Sequence, residues 1–313
     1  MMATTVQVAV GVIVNANHEV FISKRVSDVH QANCWEFPGG KVEPDETIEA
    51  ALCRELKEET GIIVLKNQFL MSIDHDYGDK QVCLHTYIVS DFSGQPSGRE
   101  GQSTQWVNID TLHSYIFPKA NYSIIKTLQL PEVIQITGQF SSLHDLVNKC
   151  QRCFDQGIKF LHFRAHELDD ERYLEYATHL LRLCRQRNTK LILNRTLDMF
   201  NAIDADGLHL SRHAMKNHLQ RPVAIDKLFS VSCHNKSELE QAQMLVADYA
   251  FLSPVKKALS HDAGAELGLD EFSVLAQGCD IPLYALGGMN YGDLDRIRGL
   301  QGKGVATISA YWL

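Results

Sequence analysis

Beyond Pro131 the chain alternates short apolar runs with segments of helical periodicity, and this alternation constrains the fold more than any other feature. Strands that alternate with helices form a parallel sheet, and eight of them close into a (β/α)₈ TIM-type barrel. Only Ala310–Leu313 follow the last run, so we expect the eighth helix to be truncated or missing. The runs are Val133–Thr137, Phe160–Arg164, Leu191–Asn194, Gly207–Leu210, Leu228–Ser232, Tyr249–Leu252, Leu283–Leu286 and Val305–Ser309.

The preceding residues show a different pattern, rich in strands. One helix is predicted from Thr47 to Thr60, before Gly61. A helix end followed by Pro131 predicts a boundary, so we expect two domains, 1–130 and 131–313, combining the α+β and α/β classes. The β-rich runs are Val6–Val14, Val20–Arg25, Phe69–Asp76 and Gln81–Val89, the last two flanking a hairpin turn at 77–80.

Composition excludes several classes of protein. The 313 residues carry a formal net charge of −8, of which −6 belongs to residues 1–131. Bulk electrostatic binding to nucleic acid is therefore not expected. No apolar run approaches the ~18 residues of a membrane helix, and the first seven residues predict no secretory signal. We expect a cytoplasmic protein whose eight cysteines are reduced, buried core thiols.

The predicted helix at Thr47–Thr60 carries an unusual cluster of carboxylates. Glu55, Glu58 and Glu59 lie at i, i+3 and i+4, which places them on one helix face, where like charges repel. Hard oxygen ligands within one turn suit Mg²⁺, with Mn²⁺ as the alternative. Arg54 lies beside the cluster and is suited to orient a carboxylate. Taken alone, the cluster is also compatible with a solvated acidic face.

The residues around this cluster fit a longer pattern, Gly-x₅-Glu-x₇-Arg-Glu-U-x-Glu-Glu-x-Gly-U, where U is aliphatic. Residues 40–62 match it at every fixed position, and the segment therefore resembles the Nudix box. The resemblance implies an α/β/α sandwich with a mixed sheet and a pyrophosphohydrolase activity. It implies Glu58, Glu59 and the Gly40 carbonyl as metal ligands, with Glu55 as a ligand or as the base that activates water.

The first domain resembles the MutT type of Nudix hydrolase over about residues 6–130. The matching stretches are Val8–Gly11, Lys24-Arg25, 30–41, Glu100–Gln102, Trp106 and 117–121. The resemblance implies an oxidised purine nucleoside triphosphate, 8-oxo-dGTP first, as substrate. It implies Glu100 as a further catalytic and metal-binding carboxylate. The residues that it implies for nucleotide binding are Arg25, His30, Phe37, Pro38, Gly39 and Asn121.

An amide at Asn121 has a physical rationale. Oxidation at C8 turns the purine N7 from an acceptor into a donor, and an Asn side chain offers both an acceptor and donors. An unsatisfied buried contact to the ordinary base costs about 1–3 kcal/mol. Judged singly, Asn121 is also compatible with a helix N-cap, Phe37 with the core, His30 with a solvated loop and Arg25 with a surface charge.

The second domain resembles thiamine-phosphate synthase and its TenI-type relatives over about residues 133–310. The resemblance and the loops after the last two barrel strands suggest a phosphorylated small molecule as ligand. The family's magnesium-holding Asp residues are replaced by Arg195 and Ala214, and its lysines by His166 and His261, so synthase activity is not expected. The candidate residues of this half are Arg164, Asn194, His234, Gly287, Gly288 and Ser309. His234 is compatible with an acid/base role or with a structural one.

The sequence therefore predicts a Mg²⁺-dependent hydrolase of 8-oxo-dGTP, related to DNA repair through nucleotide-pool sanitation, fused to a barrel that is degenerate or binds a ligand. One alternative is a Nudix enzyme for another nucleoside diphosphate derivative, such as a dinucleotide or a nucleotide sugar. Another is a thiamine-pathway protein in which the barrel is the active half. A third is a non-enzymatic barrel that acts as a ligand sensor or dimerisation module.

Overall fold

The chain divides into two units, Met1–Leu130 and Pro131–Leu313. The computed structural model describes residues 5–25, 34–76, 78, 81–257 and 266–312. The predicted binding residue His30, most of the turn at 77–80 and the aligned position His261 lie outside the described residues. Of the helices in the described part of the chain, none has the length and apolar character needed to cross a membrane.

The first unit combines two sheets with helices. Its strands are β1 (Val6–Ile13), β2 (Glu19–Lys24), β3 (Trp35–Glu36), β4 (Gly39–Lys41), β5 (Ile63–Asp76), β6 (Gln81–Ser93) and β7 (Thr104–Asn108), and its α-helices are α1 (Ile48–Thr60) and α2 (Asn121–Gln129). A four-stranded sheet has the order β4-β1-β6-β5, and a three-stranded sheet has the order β3-β2-β7. The larger sheet is mixed because β1 and β6 run parallel while the other pairs are antiparallel. The predicted mixed-sheet architecture is confirmed.

Alternating residues of β1 separate the two cores of this unit. Ala9 and Ile13 pack with Leu52 of α1 in one cluster. Val10 and Val12 pack in the other, which contains residues of α2. Successive side chains of a strand point to opposite faces, so one sheet covers a helix on each side.

Helix α1 begins and ends as the sequence predicts. The Thr47 hydroxyl accepts a hydrogen bond from the Ala50 N–H at 3.2 Å. Gly61 adopts a left-handed conformation, φ +79°, and its N–H donates to the Lys57 carbonyl. These two caps satisfy groups that a helix leaves open at its ends and fix the position of the acidic residues between them.

Strand β5 is longer than the predicted Phe69–Asp76. It begins at Ile63 and pairs with β6 as far as Ser93, with irregularities in register near Lys66. Polar residues at 66–68 interrupt the apolar pattern, and they are tolerated because β5 lies at the edge of its sheet, where Leu65 remains exposed.

The second unit is a closed barrel of eight parallel strands, as predicted. Its strands are β8 (Val133–Ile136), β9 (Phe160–Phe163), β10 (Lys190–Leu193), β11 (Gly207–Leu210), β12 (Leu228–Cys233), β13 (Tyr249–Leu252), β14 (Leu283–Ala285) and β15 (Gly304–Thr307). Its α-helices are α3 (Leu143–Asp155), α4 (Asp170–Gln186), α5 (Leu197–Asn201), α6 (Arg212–Met215), α7 (Lys236–Met244), α8 (Gly268–Gln277) and α9 (Leu294–Gly299). No helix follows β15 in the described residues, as predicted for a truncated last repeat.

Two details differ from the sequence prediction. Strand β15 ends at Thr307, because the Thr307 hydroxyl accepts a hydrogen bond from the Ala310 N–H and turns the chain; Ser309 therefore lies beyond the strand. The eight cysteines are free thiols, as expected, but they are not all buried. Cys53 is exposed because it lies on the outer face of α1.

The interior of the barrel contains a polar cluster among aromatic rings. His162 Nε2 lies 2.7 Å from the Tyr249 hydroxyl. His209 is hydrogen-bonded through Nδ1 to the Ser230 hydroxyl and through Nε2 to the Ser232 hydroxyl, both at 2.8 Å. Burial disfavours the charged imidazole, so the pKa of His209 falls to about 3 and that of His162 lies well below its ordinary value.

Candidate functional site

Arg54 joins the carboxylates of the first unit into one network. Its Nε and Nη2 donate to the two carboxylate oxygens of Glu46 at 3.0 and 2.9 Å. Its Nη1 donates to Glu55 Oε1 at 2.8 Å and lies 3.4 Å from Glu58 Oε2. Nη2 also donates to the Lys41 carbonyl at 3.1 Å. A guanidinium used in this way orients the acidic face of α1 and ties it to β4.

Glu59 occupies a different environment from its neighbours on the helix. Its Oε2 accepts a hydrogen bond from the Gly39 N–H at 3.0 Å. Burial raises the pKa of Glu59 to about 8, and the negative charges of Glu36, Glu100 and Glu55 act in the same direction. The Gly39 hydrogen bond opposes this shift only in part. A cation bound near Glu59 would offset this negative potential and favour the ionised carboxylate.

The glycines of β4 bring its backbone against these carboxylates. A Cβ on Gly40 would lie 2.2–2.4 Å from the carboxylate atoms of Glu55. A Cβ on Gly39 would lie 2.1 Å from the Ala9 carbonyl oxygen, and Gly39 has a φ of +149°. A larger residue at Gly39 would push β4 away from the β1 backbone, whereas one at Gly40 would displace the Glu55 carboxylate.

The predicted metal ligands are neighbours but do not converge on one point. In the described ranges, no three His, Cys, Asp or Glu side chains stand in a metal-binding arrangement. The reason is that Arg54 holds Glu55 and Glu58 while Glu59 turns to Gly39. The donors themselves, carboxylates and carbonyls, fit a hard divalent cation. The Glu58 side chain is 57% exposed, and its contact with Arg54, at 3.4 Å, is the longest of the Arg54 hydrogen bonds.

Glu100 comes from the loop between β6 and β7. The Glu100 N–H donates to Gln102 Oε1 at 2.8 Å, and the Arg99 N–H donates to the Glu59 carbonyl at 3.0 Å. These bonds hold the loop against the C-terminal end of α1. The Glu100 carboxylate is thereby close enough to raise the pKa of Glu59.

Arg25 and Glu36 form a half-buried ion pair near the nucleotide-binding candidates. Arg25 Nε lies 3.3 Å from Glu36 Oε2, yet the geometry gives this buried nitrogen no hydrogen-bond partner among the described residues. Burial raises the pKa of Glu36, and the Arg25 charge lowers it. The Arg25 guanidinium therefore has a buried N–H that is not hydrogen-bonded to any described residue.

Phe37 and Asn121 are both buried in the part of the first unit that contains α2. The Phe37 ring is 4% exposed and packs 5.3 Å from the Phe117 ring, which makes it a core residue and leaves its backbone for any ligand contact. Pro38 is buried, and its carbonyl accepts from the Gly11 N–H. Asn121 is 8% exposed and lies in the first turn of α2, whose N-cap is Ala120. The N-cap interpretation of Asn121 is therefore wrong.

Several barrel candidates lie where the strands end. Arg164 is exposed just after β9, and the Asn194 N–H donates to the Phe163 carbonyl just after β10. His234 follows β12, and its Nδ1 lies 2.6 Å from the Ser253 carbonyl oxygen. A carbonyl only accepts, so Nδ1 carries the proton and Nε2 of the neutral ring is an acceptor.

Gly287 and Gly288 follow β14 with φ of +92° and +61°. The segment after β13 lies against them, because the Lys256 N–H donates to the Gly287 carbonyl and Lys257 backbone lies beside Gly288. Ser309 is exposed after β15. The glycines therefore serve at least to admit this neighbouring backbone.

Arg195 stands where the resemblance expects a magnesium-holding Asp. It donates to the Ala165 and Leu168 carbonyls at 3.2 and 2.9 Å and to Asp170 Oδ1 at 2.9 Å, and its guanidinium lies 4.9 Å from the Tyr173 ring centre. These contacts fasten the loop after β9.

The other two described replacements at the strand ends also provide no carboxylate. Ala214 lies within the short helix α6. His166 remains open to solvent, and its partial desolvation together with the charges of Arg164 and Arg195 lowers its pKa.

Sequence reasoning missed the partners of the site. The sequence does not indicate that Glu36 lies near Glu59, because Glu36 stands between the aromatic residues Trp35 and Phe37 in the chain. Lys57 and Arg99 flank the acidic cluster, but exposed cations in a charged segment look like ordinary surface residues. Arg99 precedes Glu100 directly, and that adjacency was the available signal.

Comparison with known proteins divides the chain in the same way. A model described as NUDIX domain matches residues 9–127, and one described as Thiamine monophosphate synthase matches residues 133–311. The 8-oxo-dGTP diphosphatase of Escherichia coli K12 is 41% identical over 39% of this chain and 95% of its own length. The enzyme of the same name from Haemophilus influenzae is 39% identical over 39% of this chain and 90% of its own.

The second unit has its own relatives. The thiamine-phosphate synthase of Chloroflexus aurantiacus is 33% identical over 49% of this chain and 72% of its own length. Each half of the chain therefore matches a different family, the second unit over 48% to 72% of the length of the thiamine-phosphate synthases that it resembles.

Proposed function

Because the chain belongs to the Nudix family through its first unit and to the thiamine monophosphate synthase family through its second, we propose that it is a hydrolase of oxidised purine nucleoside triphosphates. Water would cleave 8-oxo-dGTP to 8-oxo-dGMP and pyrophosphate, as the names of its relatives suggest. The barrel would then be an accessory half without synthase activity.

The network around Arg54 carries this proposal. It positions Glu55 and Glu58 on α1 beside the half-buried Glu59 and against the Gly40 backbone. Glu55, Glu58, Glu59, Glu100 and the Gly40 carbonyl would hold Mg²⁺ there. When bound, the metal would neutralise phosphate charge and stabilise the charge that develops on phosphoryl oxygens.

The protein's own residues would perform the remaining work. Arg54 would keep Glu55 in place through its hydrogen bond, while Glu46 holds Arg54 from the other side. The carboxylate that takes the proton from water would be one of Glu55 and Glu59. Gly39 would keep Glu59 turned toward β4 through its N–H.

Base recognition would lie between the 37–39 segment and the start of α2. The buried side chain of Asn121 would read the oxidised edge of the purine, and the backbone of Phe37 would contact the base. Arg25, with its unsatisfied Nε, would add a donor to the nucleotide. His30 belongs to the same proposal by resemblance alone.

The test is product analysis with 8-oxo-dGTP and Mg²⁺. We expect 8-oxo-dGMP and pyrophosphate in equal amounts, activity that is lost with a chelator and restored by added Mg²⁺, and a specificity for the oxidised base that falls in Asn121→Ala. Activity that survives chelation would refute the metal site. Turnover of a dinucleotide or nucleotide sugar in place of 8-oxo-dGTP would favour the other Nudix substrates.

A separate assay addresses the barrel. The arrangement around Arg195 supports the absence of synthase activity, since a guanidinium committed to three acceptors cannot replace a magnesium-binding Asp. We expect no thiamine phosphate from the two synthase substrates with the full chain. Synthase turnover would contradict this, and a shift in melting temperature with a thiazole or pyrimidine phosphate would support a binding role.

A further inference from the structure

A pocket of about 520 Å³ lies beside the acidic face of α1, lined by Cys53, Arg54, Lys57, Glu58 and Arg99. We name this cavity the α1 pocket. Three of its five lining side chains are cations, in a unit whose overall charge is negative. Its walls therefore present positive charge next to a cluster of carboxylates.

The helix places this pocket in direct continuity with the proposed metal site. Each residue of an α-helix is turned by about 100° from the one before, so Glu58 and Arg54 lie between the face of Glu55 and the face of Lys57. Glu58 thus lines the α1 pocket on one side and belongs to the acidic cluster on the other. A chain of phosphates held at the cluster would extend past Glu58 into the pocket.

The three cations are not equivalent. Arg54 is committed to Glu46 and Glu55. Lys57 is exposed on the outer face of α1. The Arg99 guanidinium lies against Gly61, so close that a Cβ there would be 2.3–2.5 Å from its atoms. Arg99 therefore lies at the rim beside the end of α1, and both Arg99 and Lys57 are exposed to a ligand in the pocket.

We propose that the α1 pocket binds the terminal phosphate of the nucleoside triphosphate through Lys57 and Arg99, and holds the pyrophosphate product after hydrolysis. The proposal rests on the function proposed above and adds the residues that select a triphosphate over a diphosphate. Water still cleaves a P–O–P bond as before, and no further covalent step is involved. Two cations beyond the metal site offset the extra charge that only the triphosphate brings there.

The kinetic test compares 8-oxo-dGTP with 8-oxo-dGDP in Lys57→Met. Loss of one exposed cation weakens an ion pair modestly, so we expect the KM ratio of triphosphate to diphosphate to rise roughly two- to fivefold. Lys57→Arg should restore the ratio. Lys66→Met removes the same charge from an exposed position on β5 and should leave the ratio unchanged. An equal rise in Lys66→Met would mean a general charge effect and would overturn the proposal.

Arg99 needs separate treatment because a cation near the last turn of α1 also stabilises the helix. Arg99→Met is expected to raise the same KM ratio and to lower the melting temperature. Arg99→Lys should recover most of the ratio. A fall in melting temperature without any change in the ratio would assign Arg99 a structural role and remove it from the pocket's function.

Cys53 provides a readout that does not depend on turnover. Its thiol is exposed in the α1 pocket, so inorganic pyrophosphate bound there with Mg²⁺ should slow its alkylation, measured peptide by peptide. The half-buried Cys279 of the barrel is the internal control and should be unaffected. Lys57→Met should weaken the protection of Cys53. Unchanged alkylation of Cys53 with saturating pyrophosphate would refute the site.

These outcomes separate the two proposals. If the wild type hydrolyses both nucleotides and Lys57→Met leaves their KM ratio unchanged, the α1 pocket is wrong and the hydrolase stands. If the wild type hydrolyses neither, both proposals fail together.

Discussion

Glu58 and Glu59 follow one another in the chain but occupy opposite environments. Glu58 is largely exposed and contacts Arg54, whereas Glu59 is half-buried and accepts a hydrogen bond from Gly39. The sequence predicted that both belong to one acidic face, because helical spacing depends only on position. It could not predict which carboxylate is buried, since that depends on β4 and on the loop that carries Glu100.

This difference leads to a prediction for the two amide variants. On the proposed function, Glu58→Gln and Glu59→Gln should each lower kcat by about 10²- to 10³-fold, because each would remove a carboxylate ligand of the metal that stabilises the reacting phosphate. Their stabilities should differ. Glu59→Gln keeps the acceptor for Gly39 and removes the cost of protonating this carboxyl, whose pKa of about 8 disfavours the metal-free fold at neutral pH, so its melting temperature should equal or exceed that of the wild type.

Asp110→Asn removes a carboxylate elsewhere in the same unit and is the control for net charge. Near-normal kcat in both glutamine variants would contradict the metal-site assignment. A large fall in melting temperature for Glu59→Gln would instead show that its carboxylate is structural.

The sequence could not show the role of a residue when that role depends on partners far away in the chain. Phe37 was predicted to contact a purine, yet its ring packs on Phe117, eighty positions along the chain. Arg195 was recognised as a departure from a metal site, but its new partners in the loop after β9 were not foreseeable. Local spacing identifies a residue type, whereas its partners follow from the tertiary fold.

Among the elements, α1 was predictable to within a residue because Thr47 and Gly61 mark its ends chemically. The barrel strands were predictable because buried parallel strands are continuous apolar runs. Strand β5 was not, because the polar residues 66–68 of an edge strand resemble a loop. Prediction therefore succeeded where burial or capping is local and failed where an element depends on its partner.

Gly61 tests how tightly the end of α1 is constrained. Gly61→Ala would add a left-handed penalty of about 1 kcal/mol and also displace the Arg99 guanidinium. Gly157 follows α3 with a similar φ of +85°, but nothing lies near the Cβ that it would carry. We expect thermal denaturation to show a larger fall for Gly61→Ala than for Gly157→Ala. Equal falls would mean that Arg99 adapts without cost.

At the scale of the whole molecule, two units that match different families share one chain, and the second is a closed barrel with a packed interior. Its buried histidines make the stability of the chain depend on pH. His209 is neutral in the folded state, with a pKa of about 3, while an unfolded histidine has a pKa of about 6.5. Between these values the unfolded chain binds more protons, so the free energy of unfolding falls as the pH falls.

From pH 7 to pH 5, His209 alone should lower the free energy of unfolding by about 2 kcal/mol. Urea denaturation at pH 7 and pH 5 measures this difference. His209→Gln should reduce it, whereas His179→Gln, at an exposed position on α4, should not. An unchanged pH dependence in His209→Gln would show that its imidazole takes up a proton in the folded barrel as readily as in the unfolded chain.

The most direct measurement is the steady-state comparison of 8-oxo-dGTP with dGTP on the full-length protein with Mg²⁺. Because several polar contacts to the base would combine, kcat/KM should favour the oxidised nucleotide by about 10⁴-fold. Equal values for the two nucleotides, or turnover of neither, would contradict the proposed function.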